Sequence, residues 1–116
     1  PPGYRYHPAV LAQAAATLCA MFPGRFWMAP GSGEALNEHV VAERWPPKPE
    51  RNARLREAVE IMRALWAGET VTHHGLLHVE DAKLSTLPPE PPQVVGPALT
   101  PETAQWLGGW ADGLIT

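Results

Sequence analysis

RFWMAPGSGEALNEH, residues 25–39, is the stretch on which the fold turns. Residues 25–29 form a short, nearly continuous apolar run, the pattern of a strand covered on both faces, as in a parallel sheet. Pro30-Gly31-Ser32-Gly33 breaks that run, and residues 34–44 can resume as a short helix. A strand that passes through a glycine-rich loop into a helix is the opening of a βα unit.

The same grammar extends in both directions. Upstream, residues 8–21 have helical spacing: Pro8 suits a first turn, and Val10, Leu11, Ala14, Ala15, Leu18 and Met21 recur at three- and four-residue steps until Pro23-Gly24. Downstream, RWPPKPE (44–50) is too proline-rich to continue a helix and reads as an exposed connection. Over 50–67, Leu55, Val59, Met62 and Trp66 share one face of a helix that Gly68 closes, while Arg51, Arg54, Glu57 and Glu60 read as a solvated face. Residues 70–84 alternate around His74-Gly75, predicting a small hairpin outside the main sheet. After LPPEPP (87–92), residues 93–99 read as a second buried strand. Thr100-Pro101-Glu102 gives the cap, first-turn proline and early acid of a helix over 101–109. Residues 111–116 open a third strand. The order is that of a parallel α/β fold.

Length decides how much of such a fold is present. The 116 residues make one ordinary domain, less than half of the roughly 250 that a closed (β/α)8 barrel needs. If the fold is a barrel, the chain is a central segment of one, with about three parallel strands, and its start at Pro1-Pro2-Gly3 without a methionine reads as a cut end. The formal net charge of −3, with no basic stripe, argues against a nucleic-acid partner. Cys19 is the only cysteine, which excludes an internal disulfide and a thiolate metal cluster and fits the reducing cytoplasm. The longest apolar run, residues 7–22, carries Gln13 and many alanines and suits a soluble helix better than a membrane span.

Ligands of parallel α/β folds bind at the carboxyl ends of the strands, which is where Gly31-Ser32-Gly33-Glu34 falls. The glycines would let backbone amides approach a flat or anionic ligand, Ser32 adds a hydroxyl, and Glu34 can hold or move a proton. Asn37 would project from the same side of the following turn. The plainer alternative is a strand-to-helix turn in which Ser32 caps the helix and Glu34 is a first-turn acid. The run is neither a phosphate-binding loop of the Walker type, lacking its lysine, nor a dinucleotide fingerprint, lacking the third glycine.

Taken together, YRYHPAVLAQAAATL, FPGRFW, GSGEALNEH, RWPP, LREAVEIMRALWAGETVTHHG, LPPEPP and ADGLIT resemble the bacterial luciferase-like superfamily, in particular the branch around coenzyme F420-dependent glucose-6-phosphate dehydrogenase. The resemblance implies a (β/α)8 barrel, a flavin or deazaflavin cofactor, a small organic substrate, and either hydride transfer or monooxygenation. It assigns Ser32, Gly33 and Asn37, beside Gly31, to cofactor contacts and Glu34 to proton handling. Where relatives carry a Gly-Gly-Pro that receives the cofactor phosphate, this chain reads Ala98-Leu99-Thr100-Pro101-Glu102-Thr103, which makes Leu99, Thr100, Glu102 and Thr103 the corresponding cofactor residues. That departure, together with Pro30, favours FMN slightly over coenzyme F420. The resemblance also implies a homodimer, or association through open barrel edges, and a 116-residue chain that turns over no substrate alone.

Other side chains read less sharply. His73, His74 and His78 crowd the hairpin, and His39 and Glu43 stand four apart, but none completes a tetrahedral set, so no metal is expected. Trp66 and Trp106 fall at helical core positions, Trp45 is placed at a pocket rim, and Trp110 over a helix end. The non-enzymatic alternative is a barrel fragment serving as an interaction module, or a decayed relic, that pairs through uncovered strand edges.

Overall fold

The computed structural model describes residues 5–116. It holds four helices, α1 (Pro8–Met21), α2 (Ala35–Glu38), α3 (Lys48–Trp66) and α4 (Pro101–Leu107), and five strands, β1 (Trp27–Met28), β2 (Val71–His74), β3 (His78–Ala82), β4 (Gln93–Pro97) and β5 (Gly113–Ile115). Strands β1, β4 and β5 form a parallel sheet in that order, with Trp27 opposite Gln93, Met28 opposite Val94, and Gly96 opposite Leu114. The antiparallel β2–β3 pair is a separate two-stranded sheet. Among the described residues the result is an open α/β segment, with no closed barrel.

The core lies between α1 and α3 and under the hairpin. Leu55, Val59, Met62, Leu65 and Trp66 form the buried face of α3, and Leu77, Val79 and Leu84 of the hairpin pack on it together with Val94 of β4. The helix stops where Gly68 takes a left-handed φ of 85° and its amide, with that of Glu69, reaches back to the carbonyls of Leu65 and Ala64.

The buried face of α1 differs from the expected one. Ala12, Ala15, Ala16 and Cys19 point inward, whereas Val10 and Met21 are 52% and 62% exposed and Leu18 also faces out. Small residues let the two helix backbones approach closely enough for the Trp66 indole Nε1 to donate to the Ala12 carbonyl at 3.0 Å. Both stripes have helical spacing, so periodicity alone could not choose between them.

Two further expectations are corrected. The 25–29 strand shortens to Trp27–Met28 before Pro30, which has no amide for a ladder, and Trp27 is 51% exposed at the edge of this three-stranded sheet. The charged side of α3 is not simply solvated. Arg63 donates to the Trp110 carbonyl at 2.7 Å and to Asp112 at 3.0 Å, Glu57 meets His73 and accepts from the Leu76 amide at 3.2 Å, and Arg51 stacks 4.5 Å over the Trp45 ring while donating to the Pro46 carbonyl. These charges tie α3 to the hairpin, to the β5 approach and to its own amino-terminal connection. Asp112 in turn accepts from the Val94 amide at 2.8 Å, which sets β5 beside β4.

Helix α4 begins at the expected cap, with the Thr100 hydroxyl accepting from the Thr103 amide at 3.3 Å. It packs so tightly on β4 that a Cβ at Gly96 would overlap the Leu107 side chain, and both residues are buried. Gly96→Ala is therefore expected to cost about 1–3 kcal/mol through overpacking, read from the urea midpoint of the full-length protein. An unchanged midpoint would show that α4 yields freely.

Candidate active-site cleft

The loops leaving β1 and β4 converge on a cleft of about 350 Å³ at the carboxyl ends of these two adjacent strands. Gly31, Ser32, Gly33 and Glu34 form one wall, Pro97, Leu99, Thr100 and Thr103 the facing wall, with Trp106 of α4 beside them. The amino-terminal turns of α3 close the third side with Lys48, Asn52 and Leu55. Its size lies at the lower end of the range for small-molecule sites.

The local backbone bears on the choice between ligand loop and plain turn. Gly33 takes φ 87°, a left-handed conformation that glycine adopts without a Cβ penalty. Glu34, not Ser32, is the residue at the amino-terminal cap of α2, and its side chain makes no capping bond. The helix starts on backbone alone, the amides of Asn37 and Glu38 each meeting the Glu34 carbonyl at 3.0 Å. Neither side chain thus fills the capping role that the plain turn required, and both residues line the cleft.

On the facing wall, Thr100 Oγ1 donates to Thr103 Oγ1 at 2.9 Å, and Lys48 Nζ approaches Thr103 Oγ1 at 3.4 Å. The wall therefore offers hydroxyls and an ammonium where glycines would offer bare amides. Leu99 projects almost freely, 92% exposed. Lys48 and Glu34 give the cleft one charge of each sign.

Not every expected site residue is on this wall. Asn37 on α2 and Glu102 in the first turn of α4 are exposed and lie outside the lining. Trp45 stacks with Arg51 instead of forming the rim. Lys48, Asn52, Leu55, Pro97 and Trp106 are the lining residues that the sequence reading did not place in the site. The signal was present: with Pro47 at the cap and Pro49 in the first turn, α3 starts at Lys48 and carries Lys48, Asn52 and Leu55 on one face.

The histidines are occupied elsewhere. His73 pairs with Glu57, the His74 and His78 rings meet edge to face at 5.8 Å, and His39 Nδ1 lies 2.6 Å from the Leu36 carbonyl. Among the described residues no group of three His, Cys, Asp or Glu side chains is arranged to hold a metal, and no helix is long and apolar enough to cross a membrane.

A larger hollow of about 530 Å³ lies at the other end of the sheet, between 23–27 and 89–93, with Cys19 on its wall. It sits at the amino ends of β1 and β4, where parallel α/β folds carry stability more than chemistry, so volume alone does not make it the better candidate. Burial pushes the Cys19 thiol above its ordinary pKa, which leaves it a poor nucleophile.

The fold has counterparts among known proteins. The luciferase-like monooxygenase family model matches residues 1–116. The chain is 44% identical to an F420-dependent glucose-6-phosphate dehydrogenase of Microbacterium testaceum, covering 99% of this chain and 34% of that protein. It is 47% identical to one of Intrasporangium calvum, covering 98% and 35%. A solved F420-dependent secondary alcohol dehydrogenase, in complex with an F420-acetone adduct, superposes with a TM-score of 0.88 at 39% identity over 95% of this chain and 34% of that one. The F420-dependent tetrahydromethanopterin reductase of Methanopyrus kandleri, at 21% identity and a TM-score of 0.82, shares the fold. The chain spans about a third of the length of these relatives, and it belongs to the luciferase-like monooxygenase family.

Proposed function

We propose that this chain is a segment of an F420-dependent oxidoreductase and that the cleft between the β1 and β4 loops receives the edge of the deazaflavin ring. The observation that carries the reading is the convergence of a bare glycine loop, an uncapped Ser32 and a carboxylate on one cleft at the carboxyl ends of adjacent parallel strands. The residues suit such a group: Gly31 and Gly33 present backbone to a flat ring, Trp106 supplies an apolar wall, and Lys48 with the Thr100 and Thr103 hydroxyls offers donors to an anionic tail. When bound, the deazaflavin supplies a ring position that accepts or donates hydride.

The roles of the chain's own residues follow. Glu34 holds the proton that a substrate hydroxyl loses as its carbon is oxidised, or returns it in the reverse direction. Gly31, Ser32 and Gly33 orient the ring, and Leu99 stands at the cleft mouth. Asn37 and Glu102 stay in the proposal as residues able to reach a ligand that extends past the wall. The relatives point to a sugar phosphate or a secondary alcohol as substrate, and they give no support to the preference for FMN. The exposed Trp27 edge of β1 and Leu114 and Ile115 of β5 are the surfaces on which further strands, or a second copy, would dock. A reducing cytoplasm suits the lone buried Cys19.

An anaerobic assay of the full-length protein tests the reading. With sugar phosphates and secondary alcohols offered in turn, loss of oxidised-F420 absorbance without oxygen is the expected result. Strict dependence of product formation on oxygen would favour monooxygenation, and no product from any substrate with either cofactor would favour the non-catalytic alternative.

A further inference from the structure

We infer that the Glu38–Arg5 ion pair is a positioning device that fixes the Gly31–Glu34 loop from behind. This inference rests on reading that loop as part of the cofactor cleft.

The reason lies in what else could hold the segment. Between Gly31 and Trp45, Glu38 is the only buried residue, at 4% exposure. Leu36 and Val40, which would ordinarily anchor such a segment, are both largely exposed. Helix α2 has four residues, too few to be stable on its own. The 3-10 turn that follows ends on Ala42 at φ 55°, a left-handed conformation unfavourable for alanine. A carboxylate thus does the anchoring that apolar side chains usually do.

Its partner is matched to it. Arg5 Nε donates to Glu38 Oε2 at 3.1 Å and Arg5 Nη2 to Oε1 at 2.9 Å, a two-pronged contact between residues 33 positions apart. That geometry restrains orientation as well as distance. Arg5 also borders a small hollow of about 190 Å³ beside Met28, Pro30 and Gly31, which puts this residue near the entry to the loop. Neither Arg5 nor Glu38 lines the cleft itself, so any influence on a ligand passes through the loop. Removing Arg5 takes two bonds from a buried carboxylate, and the segment has little apolar burial to fall back on.

Glu38→Gln, Arg5→Met and the double variant, made in the full-length protein, test the device by two readouts. Hydrogen exchange of amides 31–41 should accelerate on the order of 10- to 100-fold in each single variant, with α3 protection unchanged. The dissociation constant for F420 should rise by a similar order, and kcat should fall as Glu34 loses its fixed position. The double variant should be no worse than Glu38→Gln alone, because that substitution already breaks the charged contact with Arg5. Glu38→Asp with Arg5 present should recover part of the loss. Unaltered exchange in 31–41, or a loss spread equally over α3, would overturn the inference. Faster exchange with unaltered F420 affinity would support the clamp and contradict the placement of the cofactor. The exchange readout decides the clamp even if the wild-type protein binds no F420.

Discussion

Glu34→Gln in the full-length protein is expected to lower kcat for hydride transfer by roughly 10²- to 10⁴-fold, the usual contribution of a positioned acid or base. Cofactor affinity should stay nearly unchanged. Glutamine preserves the size of the side chain and its hydrogen-bonding reach but cannot take up the hydroxyl proton. Glu34 begins α2 through its backbone carbonyl, and its side chain makes no capping bond, so the substitution removes no helix-terminating contact. Stability should therefore hold while turnover falls, a separation read directly from pre-steady-state reduction of F420 and a thermal melt. A variant that melts early would assign the carboxylate to the fold. A variant with unchanged kcat would remove it from the chemistry.

The largest expected stability effect belongs to Trp66. This indole is buried where α3 meets α1, and its Nε1 donates to the Ala12 carbonyl. Trp66→Ala opens a cavity against a face of small residues, Ala12, Ala15 and Ala16, that cannot extend to fill it. The expected cost is about 3–5 kcal/mol. Trp66→Phe keeps most of the volume and loses the one hydrogen bond, for about 1 kcal/mol. Chemical denaturation of the full-length variants checks both values. Equal costs for the two would mean that the hydrogen bond, and not the ring volume, holds α1 to α3.

How far the sequence could be read depended on the signal. Residues 50–67 were legible because four large apolar side chains fall on one face of α3 and a glycine follows. Residues 100–102 were legible because cap, proline and acid occur in their preferred order at the start of α4. In α1 the sequence offered two helical stripes, and the outcome hung on close packing against Trp66, which is tertiary information. Strand β1 was read as covered, yet a strand's cover comes from elements distant in sequence, and Trp27 is half exposed in this chain.

The candidate cleft was partly legible for similar reasons. Gly31 to Glu34 and Thr100 to Thr103 stand out locally through glycines and capping chemistry. Lys48 and Asn52 did not, because their place on the wall depends on where α3 starts and how it crosses the sheet. Likewise nothing near Glu38 announces Arg5, which lies 33 residues away. The charged residues of α3 looked solvated because charge is usually at the surface, whereas Arg63 and Glu57 meet partners brought close only by folding.

The central claim is that the cleft between the β1 and β4 loops is a deazaflavin site. It is tested most directly by parallel fluorescence titrations of the full-length protein with F420 and with FMN, repeated with Gly33→Val. The account predicts saturable F420 binding that is tighter than FMN binding and is lost in the variant, whose side chain is strained at a left-handed φ and intrudes on the ring's edge. Binding of neither cofactor, or F420 binding that survives in Gly33→Val, would contradict it.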